Sequence, residues 1–178
     1  MDSSKQQLRK TLQTARLALS PEERREQSKD IAERLLQEIN WPDYPKVHCF
    51  EPIMRLGEVD LVDFVTALQA GREKIEVYTS RKFKGEWLVV SADTDQLADP
   101  VPAFDVIIVP MLGFDASLQR IGWGGGYYDK FLAAQPQAIK IGVCYSIGEV
   151  EHIPAEPHDV PLDMIVTERH THKSTKGA

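Results

Sequence analysis

The sequence predicts an α/β domain of three layers, α/β/α, built on a mostly parallel sheet and opened by two N-terminal helices. Two observations carry this. From residue 47 onward short apolar runs alternate with amphipathic segments, and strands joined by helices imply parallel pairing with helices on both faces. The clearest run, FDVIIVPML (104–112), is apolar almost without a break, as in a strand buried on both sides.

Element by element, Leu8, Leu12, Ala15 and Leu19 recur at helical spacing and give the first helix. Ser20, Pro21 and Glu23 supply an N-cap, a first-turn proline and a capping box for the second. Its Ile31, Leu35 and Ile39 share a face, and it should stop near Asn40 because Pro42 and Pro45 follow. VHCF (47–50) predicts a buried strand. Val59 to Ala70 has helical spacing and ends at Gly71, a suitable stop. Further strands are expected at KIEVYTS (74–80), EWLVVS (86–91), 104–112, IKIGVCY (139–145) and DMIVTE (163–168), with a helix from Tyr127 to Ala134. One domain should cover 1–169. The polar HTHKSTKGA that follows predicts a flexible tail, 170–178, and favours that reading of His170 and His172 over metal binding.

The chain has 178 residues, 42% of them hydrophobic and 27% charged, the balance of an ordinary globular protein. With 21 basic against 27 acidic residues it carries a formal charge of −6, which argues against nucleic-acid binding over a broad face. Cys49 and Cys144 sit in apolar runs without metal-site spacing and predict buried, reduced thiols. The first ten residues lack the apolar stretch of a signal peptide, and no run is long enough to cross a bilayer, so a cytoplasmic protein without membrane contact is expected.

The segment QRIGWGGGYYDKF is the most informative. Gly122, Gly124, Gly125 and Gly126 lie between strand and helix, where absent side chains let a ligand reach the backbone and the helix's free N–H groups favour an anion. Arg120 can grip phosphate oxygens, and Asp129, in the first helical turn, can reach a phosphate-bound magnesium ion. Tight strand-to-helix packing and complementation of the helix dipole are the rival explanations. A dinucleotide fingerprint starting at Gly122 would need glycine where Tyr127 stands. A Walker loop would need Lys-Ser or Lys-Thr after the last glycine.

RIGWGGGYYDKFL resembles the arginine–glycine–Tyr-Tyr-Asp signature of the 5-formyltetrahydrofolate cyclo-ligases. VIIVPMLGFD before it is similar to the family's preceding strand and turn. Lys5-x-x-x-Arg9, Gly57-Glu58-Val59-Asp60 and PHDVPLDMIVTE (157–168) match more weakly, in the family's order. The resemblance implies an ATP- and Mg²⁺-dependent enzyme closing 5-formyltetrahydrofolate to 5,10-methenyltetrahydrofolate, with release of ADP and phosphate. The formyl oxygen would take the γ-phosphoryl group and N10 would then displace phosphate. The alternative is a homologue that binds nucleotide or folate without turnover, or one acting on another formamide-like substrate.

Carried over by position, Lys5, Arg9, Arg120, Gly122, Trp123, Gly124, Gly125, Gly126, Tyr127 and Tyr128 would bind ATP. Arg120 and Tyr127 would be catalytic. Ile53, Glu58, Trp123 and Tyr127 would hold the folate, and Asp129 and Asp159 the magnesium. From the residues alone, Lys5 and Arg9 would read as a solvated basic face, Glu58 as a first-turn acid and Asp159 as an Asx turn. Arg81, Lys82 and Lys84 could attract folate's anionic glutamate tail or could form a solvated loop. The family pattern has threonine near Leu61 and proline where Ser80 stands, and 92–102 lacks a Gly-x-x-Glu-Pro stretch. No partner beyond the folate substrate and ATP is implied, and a monomer is expected.

Overall fold

Capping and apolar spacing set the helices, and the apolar runs pair into one sheet. The computed structural model describes residues 3–71 and 74–174. In chain order the elements are α1 (Ser3–Ala18), α2 (Pro21–Glu38), β1 (Lys46–Phe50), α3 (Val62–Ala70), β2 (Glu76–Phe83), β3 (Glu86–Ser91), β4 (Val106–Pro110), β5 (Gly113–Phe114), β6 (Arg120–Ile121), α4 (Tyr127–Ala133), β7 (Ile139–Val143), β8 (Met164–Val166) and β9 (Thr171–Lys173). The predicted capping box is present: Glu23 N donates to Ser20 Oγ at 3.1 Å and Ser20 N to Glu23 Oε2 at 2.7 Å.

Seven strands form one sheet in the order β3-β2-β1-β4-β7-β8-β9, with β5 and β6 a separate pair. The inner pairings, β2/β1, β1/β4, β4/β7 and β7/β8, are parallel; β3 and β9 close the edges antiparallel. The mixed α/β class with a mostly parallel sheet is therefore as expected. The β2–β3 hairpin turns on Lys84 and Gly85, both at positive φ (48° and 91°), the sense that suits the twist of a two-residue hairpin.

The unbroken apolar run of β4 is buried on both faces because alternate residues enter different clusters. Val106 and Ile108 pack with Ile31 and Leu35 of α2 and Phe64 and Leu68 of α3. Ile107 and Val109 pack with Leu132 of α4 and with Phe104. Trp41 sets its ring edge-on to Phe64, 5.0 Å between centroids, and its indole N–H donates to Leu35 O at 3.0 Å. Cys49 and Cys144 are free and buried, and burial pushes their thiols up to about 12 and about 11.

Three expectations need correction. α3 starts at Val62, not Val59: Val59 and Leu61 both enter the core ahead of it, and Asp60 Oδ1 accepts from Val62 N at 3.0 Å. Between β4 and the glycine loop lies the short β5–β6 pair, whose two-residue strands leave no periodic signal. The tail expected from residue 170 instead begins as a strand. The Thr167 hydroxyl accepts from the amides of Arg169 and His170, which turns the chain back so that β9 pairs with β8. His172 then lies edge-on to Phe114 at 5.0 Å. Residues 175–178 of that expectation fall outside the described residues.

Gly113 is where α1 and the 146–148 turn meet the sheet most closely. An added Cβ would stand 2.5 Å from Gly148 O and 2.7 Å from Leu12 Cδ1. The carbonyl is backbone and cannot yield as a side-chain tip would. Gly113→Ala is expected to cost about 1–3 kcal/mol, read as a lower urea midpoint at unchanged slope.

Candidate functional site

In the order β3-β2-β1-β4-β7, the chain runs outward from β1 to β3 and then returns to start the other half beside β1. The switch point therefore lies between the carboxyl ends of β1 and β4, where loops diverge and an open crevice forms in such sheets. The loop leaving β1 carries Ile53 and Glu58; the segment leaving β4 carries the glycine loop. Glu58, 5% exposed, ties them together: Oε1 accepts from Trp123 Nε1 at 2.8 Å and Oε2 from the Ile53 amide at 2.7 Å. Glu58 precedes α3 by an extended segment, so it is not a first-turn acid.

The glycines of the loop divide by reason. Gly124 and Gly126 have φ of 88° and 67°, and Gly126 stands at the N-cap of α4, so both need glycine for the backbone alone. Gly122 and Gly125 are not in that region, and an added Cβ at either meets nothing within 4 Å. Strand-to-helix packing thus explains neither. A main chain bared toward open space, at the start of a helix, offers its N–H groups to an anion.

α1 covers this loop with an unusual inward face. Lys5, Arg9, Leu12 and Arg16 follow at i, i+4, i+7 and i+11, and Lys5 (6% exposed) and Arg16 (2%) are buried. Arg9 Nε donates to Gly122 O at 3.0 Å, and its guanidinium lies against Gly124. Arg16 donates to Met111 O and lies 5.9 Å from the Trp123 ring centre and 6.0 Å from that of Tyr145. Lys5 Nζ donates to Glu156 Oε2 at 2.8 Å and Asp159 Oδ2 at 2.9 Å. The basic residues are therefore directed inward, not solvated. Arg120, with a buried side chain, donates to Asp129 and to Val160 O.

Asp129, His158 and Asp159 each bring a ligand atom within 4.8 Å of the others. Two carboxylates fit Mg²⁺, which takes one or two of them and leaves its other positions to phosphate oxygens and water. Imidazole suits so hard an ion less well. Asp159 does accept from the Glu156 amide at 2.8 Å, three residues back, so the local turn and the cluster coexist.

On the far side of the loop, Tyr127 stacks on Trp87 of β3, 4.4 Å between centroids at 22°, and on Phe131 at 5.4 Å and 14°. Its hydroxyl meets Ser80 Oγ at 2.6 Å. Tyr128 is turned edge-on to Tyr127 at 5.1 Å, and burial pushes its phenol well up. Sequence reasoning assigned no role to Trp87, Arg16, Glu156, His158, Ser80 or His48; only the pairing of β1, β2 and β3 with α4 brings the aromatic and hydroxyl groups together. Of the basic trio after β2, Arg81 pairs with Glu51 and Asp95, both at 2.7 Å. A cleft of about 720 Å³ between α2 and the 54–63 segment shares Glu58 with the site, but no glycine-loop residue after 121 lines it.

Residues 84–168 match the profile of the 5-formyltetrahydrofolate cyclo-ligase family. A 5-formyltetrahydrofolate cyclo-ligase of Mycoplasma pneumoniae is 30% identical over 166 residues, 92% of this chain and 98% of that one. The structure of a 5,10-methenyltetrahydrofolate synthetase from Mycoplasma pneumoniae superposes with a TM-score of 0.79 at 30% identity, covering 94% of this chain and 99% of that one. The NMR structure of the Aquifex aeolicus 5,10-methenyltetrahydrofolate synthetase gives 0.77 at 29%, covering 98% and 94%. Among the described residues no helix is long and apolar enough to cross a membrane.

The anchor of α1 has a pH range. Burial alone would lower the Lys5 ammonium, but the hydrogen bonds to Glu156 and Asp159 outweigh it and raise it above 10.5. Burial would raise Asp159; the Lys5 and Glu156 hydrogen bonds instead hold it below 3.8. A raised ammonium stabilises fully below 10.5 and loses this as pH rises through its folded value. A lowered carboxyl does so above 3.8 and loses it as pH falls through its own. Lys5→Met should therefore cost about 1–3 kcal/mol, a constant deficit between pH 5 and 9 that shrinks above pH 10.5 in parallel melting curves.

Proposed function

The chain belongs to the 5-formyltetrahydrofolate cyclo-ligase family, and from that premise we propose that it converts 5-formyltetrahydrofolate to 5,10-methenyltetrahydrofolate at the expense of ATP. The observation that carries this reading is the pair Gly122 and Gly125, glycines required by neither backbone angle nor packing, beside Arg9 and next to the Asp129–Asp159 cluster. Bare amides, basic side chains and a pair of carboxylates are what a magnesium triphosphate needs.

A formamide oxygen is a poor leaving group until phosphorylated. Attack of the formyl oxygen on the γ-phosphorus expels ADP and leaves an imidate phosphate. N10 then adds to the same carbon and gives up its proton, and phosphate departs with the former formyl oxygen. No side-chain nucleophile is required; the protein aligns the reactants and balances charge on the transferring group. In this reading the amides of 122–126 hold the phosphates, and Lys5, Arg9 and Arg120 neutralise them. Asp129 and Asp159 would hold Mg²⁺, which when bound screens the phosphate charge. Trp123, backed by Arg16 and held by Glu58, stands with Ile53 and the Tyr127–Trp87 stack as flat walls for a pterin ring.

The test is incubation of the protein with 5-formyltetrahydrofolate and MgATP. Methenyl product matched one-to-one by ADP is expected, and nucleotide binding without product would overturn the catalytic reading. Asp129→Asn should lower kcat on the order of a hundredfold, the scale of losing one group that balances charge at the reacting centre, while the melting temperature moves little. Gly125→Ala separates cradle from scaffold. With nothing within 4 Å of the new methyl group it should unfold as the unaltered chain does, yet bind ATP about tenfold more weakly by calorimetry.

A further inference from the structure

Beneath Tyr127 lies a line of buried polar groups that the proposed reaction does not use. His48 of β1 is fully buried between Phe104 (5.3 Å) and Phe131 (4.6 Å). Its Nε2 meets Ser80 Oγ at 2.7 Å, and the same Oγ meets the Tyr127 hydroxyl at 2.6 Å. Ser80 is 3% exposed. Parallel pairing sets Phe50 of β1 opposite Ser80 and thus His48 two residues back along the same face. Three side chains from β1, β2 and α4 so form one chain from the core to the first residue after the glycine loop.

Its direction follows from counting hydrogens. Burial pushes the His48 imidazole down to about 3, so the ring is neutral and carries one proton. Nδ1 is buried without a partner. A proton there would leave an orphaned N–H, which folded proteins tolerate less well than an orphaned lone pair. The proton therefore belongs on Nε2 and is donated to Ser80 Oγ. Ser80 has a single hydrogen, and Tyr127 is its remaining partner. The Tyr127 oxygen is thus already an acceptor, and its own hydrogen has no taker among the described residues. A phenol keeps its hydrogen at neutral pH, so that donor remains available.

We infer that His48 and Ser80 are positioning residues which orient the Tyr127 hydroxyl as a hydrogen-bond donor into the site, toward an oxygen of the substrate that gains negative charge during reaction. The inference rests on the function proposed above. Hydrogen bonds lined up in one sense polarise each other, so the terminal O–H is a stronger donor than an isolated phenol. The device depends on a hydroxyl at position 80, where the family pattern has proline.

The test is a double-mutant cycle on the full chain with steady-state kinetics. Ser80→Ala should lower kcat about tenfold, the equivalent of one lost hydrogen bond, with KM for either substrate nearly unchanged. Ser80→Ala combined with Tyr127→Phe should be no slower than Tyr127→Phe alone, because both remove one interaction. Losses that multiply, or an unchanged kcat in Ser80→Ala, would overturn the inference. A second measurement needs no variant and no turnover. In ¹⁵N NMR of the unaltered protein, the His48 imidazole should be neutral at pH 5 and carry its proton on Nε2; a proton on Nδ1 overturns the proposed direction. An inactive unaltered protein refutes the functional reading instead, and the NMR result still decides the orientation.

Discussion

The site depends on α1 lying over the carboxyl end of the sheet with its cations inward. Burying Lys5, Arg9 and Arg16 along one helical face is costly unless each finds partners. Lys5 finds two carboxylates, while Arg9 donates to Gly122 O and Arg16 to Met111 O, both main-chain carbonyls. Those carbonyls belong to the segment between β4 and α4, so satisfying the arginines fixes the course of the glycine loop. Leu12 seals the same contact through Leu112, Ile121 and Ile153. Gly113, with no room for a methyl group, sets how closely the helix approaches. The glycine-loop side of the site is in this sense an assembly of helix against loop, not a property of the loop alone.

The elements were readable wherever a local rule sufficed. Ser20, Pro21 and Glu23 announce α2 because a capping box is complete within four residues. The run at 104–112 announces β4 because a strand buried on both faces has no polar side to show. The failures have a common cause. β9 is a polar edge strand held by a Thr167 turn and by β8, and nothing in HTHK itself marks it. Leu61 looks like the third residue of a helix until the tertiary structure draws both Val59 and Leu61 into the core. α1 shows the same limit from another side. Its leucines predict the helix, but the face it buries is shared with charged residues whose partners lie more than a hundred residues away.

Legibility of the site divides along the same line. Gly122 to Gly126, Arg120 and Asp129 are contiguous, so their chemistry was visible in thirteen residues. Asp159 and Glu58 entered only through the family pattern, and the structure brings Asp159 beside Asp129 and Glu58 beside Trp123. His158 and Glu156 join that acidic corner because the turn holding Asp159 presents its neighbours as well. Trp87, His48 and Ser80 lie on three different strands, and no spacing rule links them. They converge because β1, β2 and β3 are adjacent in the sheet and α4 crosses beside them.

The departures from the family pattern take on different weights once placed. Leu61, 2% exposed, packs in the core as the N-cap of α3 without a side-chain capping bond, and Asp60 Oδ1 accepts from the Val62 amide beside it. That change is one of packing and does not reach the crevice. In 92–102, Leu97 bridges back to Val90 and extends the β3 edge. Ser80 is different in kind. A proline there has no side-chain hydroxyl and no amide hydrogen; the serine has both and, through Oγ, holds a histidine and a tyrosine at once. Backbone groups build the glycine loop, so substitution there is limited to what keeps the amides bare. Side chains build the wall around Tyr127, and under the proposed reading a single hydroxyl is enough to change what Tyr127 presents.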